Sequence, residues 1–245
     1  MTYTTTLAPR ALSLFITGTD TGVGKTLFSA ALLHALARYH PRVVGMKPVA
    51  AGTELIDGVP ANDDVLALRA ASSVRVPPEL DNPVLLPDPV SPHIAAERAG
   101  VCIDIAHLVA CHRALEQLAD AVVVEGAGGF HVPLSATETG ADLAQALDLP
   151  VVLVVGLRLG CLNHAMLTAE AIRARGLTLA GWVANHIDPA MLAQEDNIAF
   201  LQQRLRAPLL ASIPYQAAPD PRAFPVCLPA AWQHAMTRHD TTLLA

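Results

Sequence analysis

Residues Gly18 to Thr26 read GTDTGVGKT. They follow the apolar run Leu12–Thr17 (LSLFIT) and lead into a segment where Leu32, Leu33 and Leu36 recur at helical spacing. A strand, a Gly-rich turn and a helix in that order make a cradle for phosphate. Glycine lets an anion approach the turn closely, and the first amides of the helix are free to donate to it. The expected contacts come from Gly22, Val23, Gly24, Lys25, Thr26 and Leu27. The Lys25 ammonium would reach the outer phosphates, and the Thr26 hydroxyl would hold Mg²⁺. The usual spacing leaves four residues between the glycines, whereas five separate Gly18 from Gly24. The flanking strand and helix therefore carry the assignment to nucleotide binding.

Working outward, apolar strand candidates recur at Leu12–Thr17, Arg42–Lys47, Ala121–Glu125, Pro150–Val155, Leu179–Ala184 and Leu209–Ile213, with helical patterns between them. Ile105, Leu108, Val109, Leu115 and Leu118 mark one face of a helix ending near Asp120. Alternation of this kind predicts an α/β fold, a parallel sheet covered by helices on both faces. Ligands should gather beyond the C-terminal ends of its strands. We expect residues 1–245 to form a single domain, best supported over about 10–215, with a poorly patterned tail at 216–245. The proline-rich segment Val76 to Pro92 is expected to be a loop wall without regular helix or central strand.

The composition agrees with a buried parallel sheet: 52% of residues are hydrophobic, 16% charged and 4% aromatic. The formal net charge of −6 comes without any Lys/Arg cluster, which argues against a nucleic-acid or anionic-membrane surface. Cys102, Cys111, Cys161 and Cys227 show no CxxC or metal-ligand spacing, and they are expected to be small buried hydrophobes with reduced thiols. No basic, apolar leader or membrane-length stretch is present, so a cytoplasmic location is expected.

Four positions could add chemistry to the loop. Lys47 ends its strand candidate and is either a solvated strand-end lysine or a second cation over the phosphates. Glu125 ends the strand DAVVVE before Gly126-Ala127-Gly128-Gly129 and could hold Mg²⁺. Asp63 and Asp64 precede an apolar helix; Asp64 is ambiguous, since one of the two aspartates could simply cap the helix, and Asp64 could instead bind metal. Asn185 follows the strand LAGWVA, where its amide could read a purine edge or simply form a turn.

GTDTGVGKT, the KPVAAG beginning at Lys47, Ser91-Pro92-His93, VEGAGG at Val124 to Gly129, VVGLRLGCLNHAMLT at Val154 to Thr168 and GWVAN at Gly181 to Asn185 keep their order over about Phe15 to Tyr215. Together they closely resemble the dethiobiotin synthetase family, whose phosphate loop carries the same extra residue. The resemblance implies a P-loop NTPase-like fold and an ATP- and Mg²⁺-dependent cyclo-ligase of biotin synthesis. Such an enzyme joins 7,8-diaminononanoate with CO₂ (supplied as bicarbonate) and closes the cyclic urea through a carbamate and a carbamic-phosphoric anhydride.

By carry-over, Lys25, Lys47 and Thr21 serve catalysis, and Thr26, Asp64 and Glu125 hold Mg²⁺. Thr21, Lys47, Ala51, Gly128, Gly160 and Asn163 meet the diamine or carbamate, and Asn185 and Pro214 meet the base. The family's homodimer implies that Gly160 to Asn163 reach the neighbouring subunit's substrate. His93 is a further candidate for substrate contact.

Three departures stand out. Gly22 replaces an acidic residue of some relatives, Ala51 a frequent Ser or Thr, and Arg158 a lysine. Two other readings compete. A cobyrinate-type amidoligase would need an extra glutaminase domain, for which this chain has no room. A partitioning or septum-positioning ATPase would carry a lysine early in the loop, and no lysine precedes Lys25.

Overall fold

A computed structural model describes residues 11–234. Strand Leu12–Gly18 (β1) is buried throughout and turns into helix Lys25–Leu36 (α1). Strands Val43–Met46 (β2) and Val49–Ala51 (β3) precede a small antiparallel hairpin, Glu54–Ile56 (β4) with Val59–Ala61 (β5). Helices Asp63–Ala71 (α2) and Pro78–Asp81 (α3), strand Val84–Leu86 (β6) and helices Pro92–Ala99 (α4) and Ile105–Leu118 (α5) lead to strand Ala121–Glu125 (β7). The rest alternates: Gly140–Leu147 (α6), Val151–Gly156 (β8), Cys161–Ala174 (α7), Leu179–Asn185 (β9), Gln194–Leu205 (α8) and Leu209–Ile213 (β10). One 3-10 turn, Ala230–Trp232, closes the described chain.

Six strands form one sheet in the order β10-β9-β8-β1-β7-β2, every pair parallel. The six strand candidates are its six strands, with ends displaced by a residue or so. Side chains alternate across a strand, so each strand feeds two cores. Phe15, Val122, Val124, Leu153, Val155 and Trp182 pack on one face, beneath α5 to α8. Leu14, Ile16, Val123, Val152, Val154 and Val183 pack on the other, against α1 and α2. Near-continuous apolar strands follow from burial on both faces.

One expectation about an irregular segment needs correction. The proline-rich stretch contains α3, β6 and the start of α4. Pro78 and Pro92 are the first residues of their helices, where a missing N–H leaves no bond unmade. As expected, none of it enters the main sheet, since β6 pairs only with β3. Of the poorly patterned tail, residues 235–245 lie outside the described residues, and 216–234 supply Phe224 and Trp232 to the α1-side core. His40 Nε2 donates to the Trp232 carbonyl at 2.7 Å, and the Cys227 amide donates to Leu210 at 2.8 Å.

The cysteines also divide differently from expectation: Cys111 and Cys161 are buried, whereas Cys102 and Cys227 are exposed. Among the described residues, no helix is long and apolar enough to cross a membrane.

Candidate functional site

The parallel register assembles the site. β2 and β7 pair side by side with Met46 opposite Val124, so the next residue of each chain sets Lys47 beside Glu125. β1 lies against β7 with Ile16 opposite Glu125, and two residues later it opens into the phosphate loop. The backbone of Lys47 is held on both sides: its amide donates to Asp81 at 2.7 Å, and its carbonyl accepts from Asn82 Nδ2 at 2.7 Å.

Within the loop, two glycines answer different demands. Gly24 has φ 90°, and a Cβ there would lie 2.1 Å from Asn185 Nδ2, so both backbone and space exclude a side chain. Gly22 has φ 73° but open space around it. Gly24 precedes α1 without any side-chain cap, and the first turn of α1 holds no acidic residue. The amides of Lys25, Thr26 and Leu27 thus head a positive helix end left open to an anion. Lys25 Nζ folds back onto the Asp20 carbonyl at 3.1 Å. Burial, and then the nearby Lys47 charge, lower its pKa to about 8.

Lys47, Asp64, Glu125 and Thr26 meet at one point. Lys47 Nζ lies 2.6 Å from Glu125 Oε1 and 2.7 Å from Asp64 Oδ2. Burial alone would lower the lysine's pKa, but the two carboxylates reverse this and hold it above the ordinary value. Burial likewise opposes charge on Asp64, yet Lys47 foremost and Thr26 after it draw that carboxyl below its usual range. Lys47 is therefore a buried cation in an ion-paired cluster and no solvated strand end. Asp64 reaches this cluster because Asn62 caps α2, its Oδ1 accepting from the Val65 amide at 3.3 Å. Neither aspartate is the cap.

Thr26 Oγ1 is 2.6 Å from Asp64 Oδ1 and 2.8 Å from Glu125 Oε1. One hydroxyl proton cannot serve two carboxylates, and buried Glu125 Oε2 has no partner among the described residues. A hard divalent cation would relieve both conditions, with Thr26, Asp64 and Glu125 as the residues that would hold it. The residues thus fit Mg²⁺. Among the described residues, no group of three or more His, Cys, Asp or Glu side chains is arranged for a metal. A cation here would need the Thr26 hydroxyl besides the two carboxylates.

The other sequence-derived candidates fall around this centre. Thr21 Oγ1 faces Gly128, 3.5 Å from where a Cβ of that glycine would sit. Ala51 ends β3, and the carbonyl of the following Gly52 accepts from Asn62 Nδ2 at 2.8 Å, tying that strand to the α2 cap. Asn185 Nδ2 donates to the Val23 carbonyl at 2.9 Å, so the amide is turned onto the phosphate loop. Pro214 lines a separate cavity of about 510 Å³ with His186, Pro189, Gln194, Ser212 and Tyr215. Gly160 precedes α7 with φ 96° and Asn163 lies in its first turn, both exposed. His93 Nδ1 pairs with its neighbour Ser91 Oγ at 3.0 Å, at the start of α4.

Sequence reasoning missed Asp20, whose carboxylate pairs with Arg158 and whose carbonyl holds Lys25. It also missed the polar side chains of the second cavity. Asp20 sits inside the quoted loop and could have been found there; His186 and Ser212 become neighbours only through β9–β10 pairing.

Solved structures support the fold. The septum site-determining protein MinD from Pyrococcus horikoshii, complexed with Mg-ADP, matches with TM-score 0.53 and 19% identity over 84% of this chain and 82% of that one. The MinC:MinD cell division complex from Aquifex aeolicus matches with TM-score 0.52 and 19% identity over 84% and 83%. A ParA family ATPase from Chlorobium tepidum matches with TM-score 0.52 and 15% identity over 84% and 85%. The parallel sheet and its flanking helices are the fold shared with these proteins. With a family model described as an AAA domain matching residues 13–222, the chain belongs to the AAA domain family.

Proposed function

We propose that the chain is an ATP-dependent carboxylase-cyclase of the dethiobiotin synthetase type, acting on 7,8-diaminononanoate and CO₂. The observation that carries this reading is Lys47, buried between Asp64 and Glu125 beside Thr26. Hydrolysis of ATP needs a phosphate loop and a positioned water. Phosphoryl transfer to a carbamate must also overcome repulsion between two anions, and a second buried cation serves that need.

The chemistry requires no nucleophilic side chain. An amine of the diamine attacks CO₂ and loses a proton, giving a carbamate. A carbamate oxygen attacks the γ-phosphorus and ADP leaves. The second amine attacks the carbamoyl carbon, expelling phosphate and closing the urea. The loop amides and Lys25 bind the triphosphate, and Lys47 faces charge on the transferring group. Thr21 and the Gly126–Gly129 turn hold the diamine or carbamate, with Ala51 beside it. Mg²⁺, when bound by Thr26, Asp64 and Glu125, neutralises charge on the triphosphate. Asn185 and Pro214 contact the base, and Gly160 and Asn163 serve the neighbouring subunit of a homodimer.

The likeness to MinD and ParA structures favours a second reading, an ATPase switch that acts through a protein partner. Turnover separates the two. With the diamine and bicarbonate, ATP consumption should yield a cyclic urea detectable by mass spectrometry, and chelation of Mg²⁺ should abolish it. ATP hydrolysis equally fast without the diamine would defeat the synthetase reading.

A further inference from the structure

The second cavity carries a hydrogen-bonded relay whose direction is fixed. Gln194 Nε2 donates to the Asp188 carbonyl at 2.9 Å, and a carbonyl can only accept. The Gln194 amide is thereby oriented with Oε1 toward His186 Nδ1, 2.7 Å away. In a neutral imidazole Nδ1 must then carry the hydrogen, which leaves Nε2 as an acceptor. Ser212 Oγ lies 3.1 Å from His186 Nε2, so with the ring neutral the serine donates its only proton to it. What Ser212 offers outward is an oxygen lone pair.

His186, Gln194 and Ser212 all line the cavity, together with Pro189, Pro214 and the ring of Tyr215, which is 53% exposed. Flat apolar surfaces of this kind suit a planar heterocycle. The cavity opens at the C-terminal ends of β9 and β10, and His186 directly follows Asn185, which touches the phosphate loop. A base attached to a triphosphate in that loop lies within this part of the fold.

We infer that Ser212, held as a pure acceptor by His186 and Gln194, is a specificity-determining residue for the base and selects a purine whose six-position bears an amine. An amine donates to Ser212 Oγ; a carbonyl at that place would set two lone pairs against each other. The inference rests on the nucleotide-binding reading of the phosphate loop and adds the choice of base. Ser212 contacts the base, whereas His186 and Gln194 are positioning residues.

Isothermal titration of the full chain with MgATP and MgITP, at about pH 7.5, tests it. ITP differs from ATP at C6, where a carbonyl replaces the amine. Wild-type protein should bind ATP about tenfold or more tighter than ITP, the scale of one hydrogen bond gained or frustrated. Ser212→Ala should shrink that ratio to within about threefold, chiefly by weakening ATP. Gln194→Leu removes the constraint on Nδ1, so the imidazole can change tautomer and the Ser212 hydroxyl can turn outward. ITP should then gain relative to ATP, a shift that loss of packing alone would not produce. Circular dichroism checks that each variant is folded. Equal affinities in the wild type, or an unchanged ratio in both folded variants, would overturn the inference while leaving nucleotide binding intact. Failure of the wild type to bind either nucleotide would instead remove the nucleotide reading beneath it.

Discussion

Lys47 Nζ stands 2.6 Å from Glu125 Oε1, with the two side chains 4% and 0% exposed. Removing one member of a buried pair strands the other in low dielectric and costs about 3–5 kcal/mol, whereas removing both is far cheaper. Lys47→Met should therefore lower the unfolding free energy by about that amount, somewhat less if water reaches half-exposed Asp64. Adding Glu125→Gln to Lys47→Met should restore most of the loss. Urea titration of the four members of the cycle measures the coupling. Additive losses would show that the two charges do not stabilise each other. Turnover should fall about 100-fold or more in both single variants, through lost stabilisation of the transferring phosphoryl group.

The two loop glycines should respond differently to alanine. At Gly22, φ is 73° and no atom stands in the way, so Gly22→Ala should cost only about 1 kcal/mol of conformational strain and leave nucleotide bound. At Gly24, φ is 90° and the new Cβ would strike Asn185 Nδ2. Gly24→Ala should lose about 2 kcal/mol or more and weaken ATP at least tenfold as the loop shifts. Thermal unfolding and titration with a fluorescent ATP analogue give both numbers. Equal behaviour of the two variants would count against this account of the loop.

Lys25 gives ATP binding a pH dependence of definite sign. Its pKa in the free protein is about 8 because charge is costly in its buried place beside Lys47. Bound triphosphate favours the charged form and must raise that value. Below about pH 8 the lysine is charged in both states, and affinity should be flat with respect to this group. Above it, binding must take up a proton, and the dissociation constant should rise, approaching tenfold per pH unit until the bound-state pKa is reached. Calorimetry in two buffers of different ionisation enthalpy detects the uptake directly. Binding that strengthens from pH 8 to 9 would contradict the mechanism.

Much of this could be read in the sequence, because the determinants of the main sheet are local. LSLFIT, DAVVVE and LAGWVA are apolar on both faces and bounded by Gly, Asp or Asn, so strand positions followed from composition and length. Strand ends in a parallel sheet collect side chains, and this made Lys47, Glu125 and Asn185 candidates before their register was known. What remained hidden depended on distant partners. Asn62 takes the α2 cap and frees Asp64 for the cluster, a choice three adjacent polar residues do not disclose. The hydrogen-bond direction at Ser212 needs Asp188, Gln194 and His186 in place at once. Residues 216–234 show no helical or strand pattern because they cover the core as largely irregular chain, through Phe224 and Trp232 with Val226, Leu228 and Ala231 beside them.

Trp232 tests that last point. Its side chain is 1% exposed in the core against α1, and its carbonyl accepts from His40 Nε2, a ring that is itself only 2% exposed. A large aromatic truncated in a core costs about 3–5 kcal/mol, a considerable part of the stability of an ordinary domain. Trp232→Ala should therefore lower the melting temperature by several degrees and expose α1-side surface to a hydrophobic dye. Trp232→Phe, keeping much of the volume and the backbone bond to His40, should recover over half of the loss. His40→Ala should cost less, about 1–3 kcal/mol, by leaving a buried carbonyl unpaired. If Trp232→Ala melts with the wild type, the tail would be a surface appendage, and the α1 side of the sheet would have to be held by α1 and α2 alone.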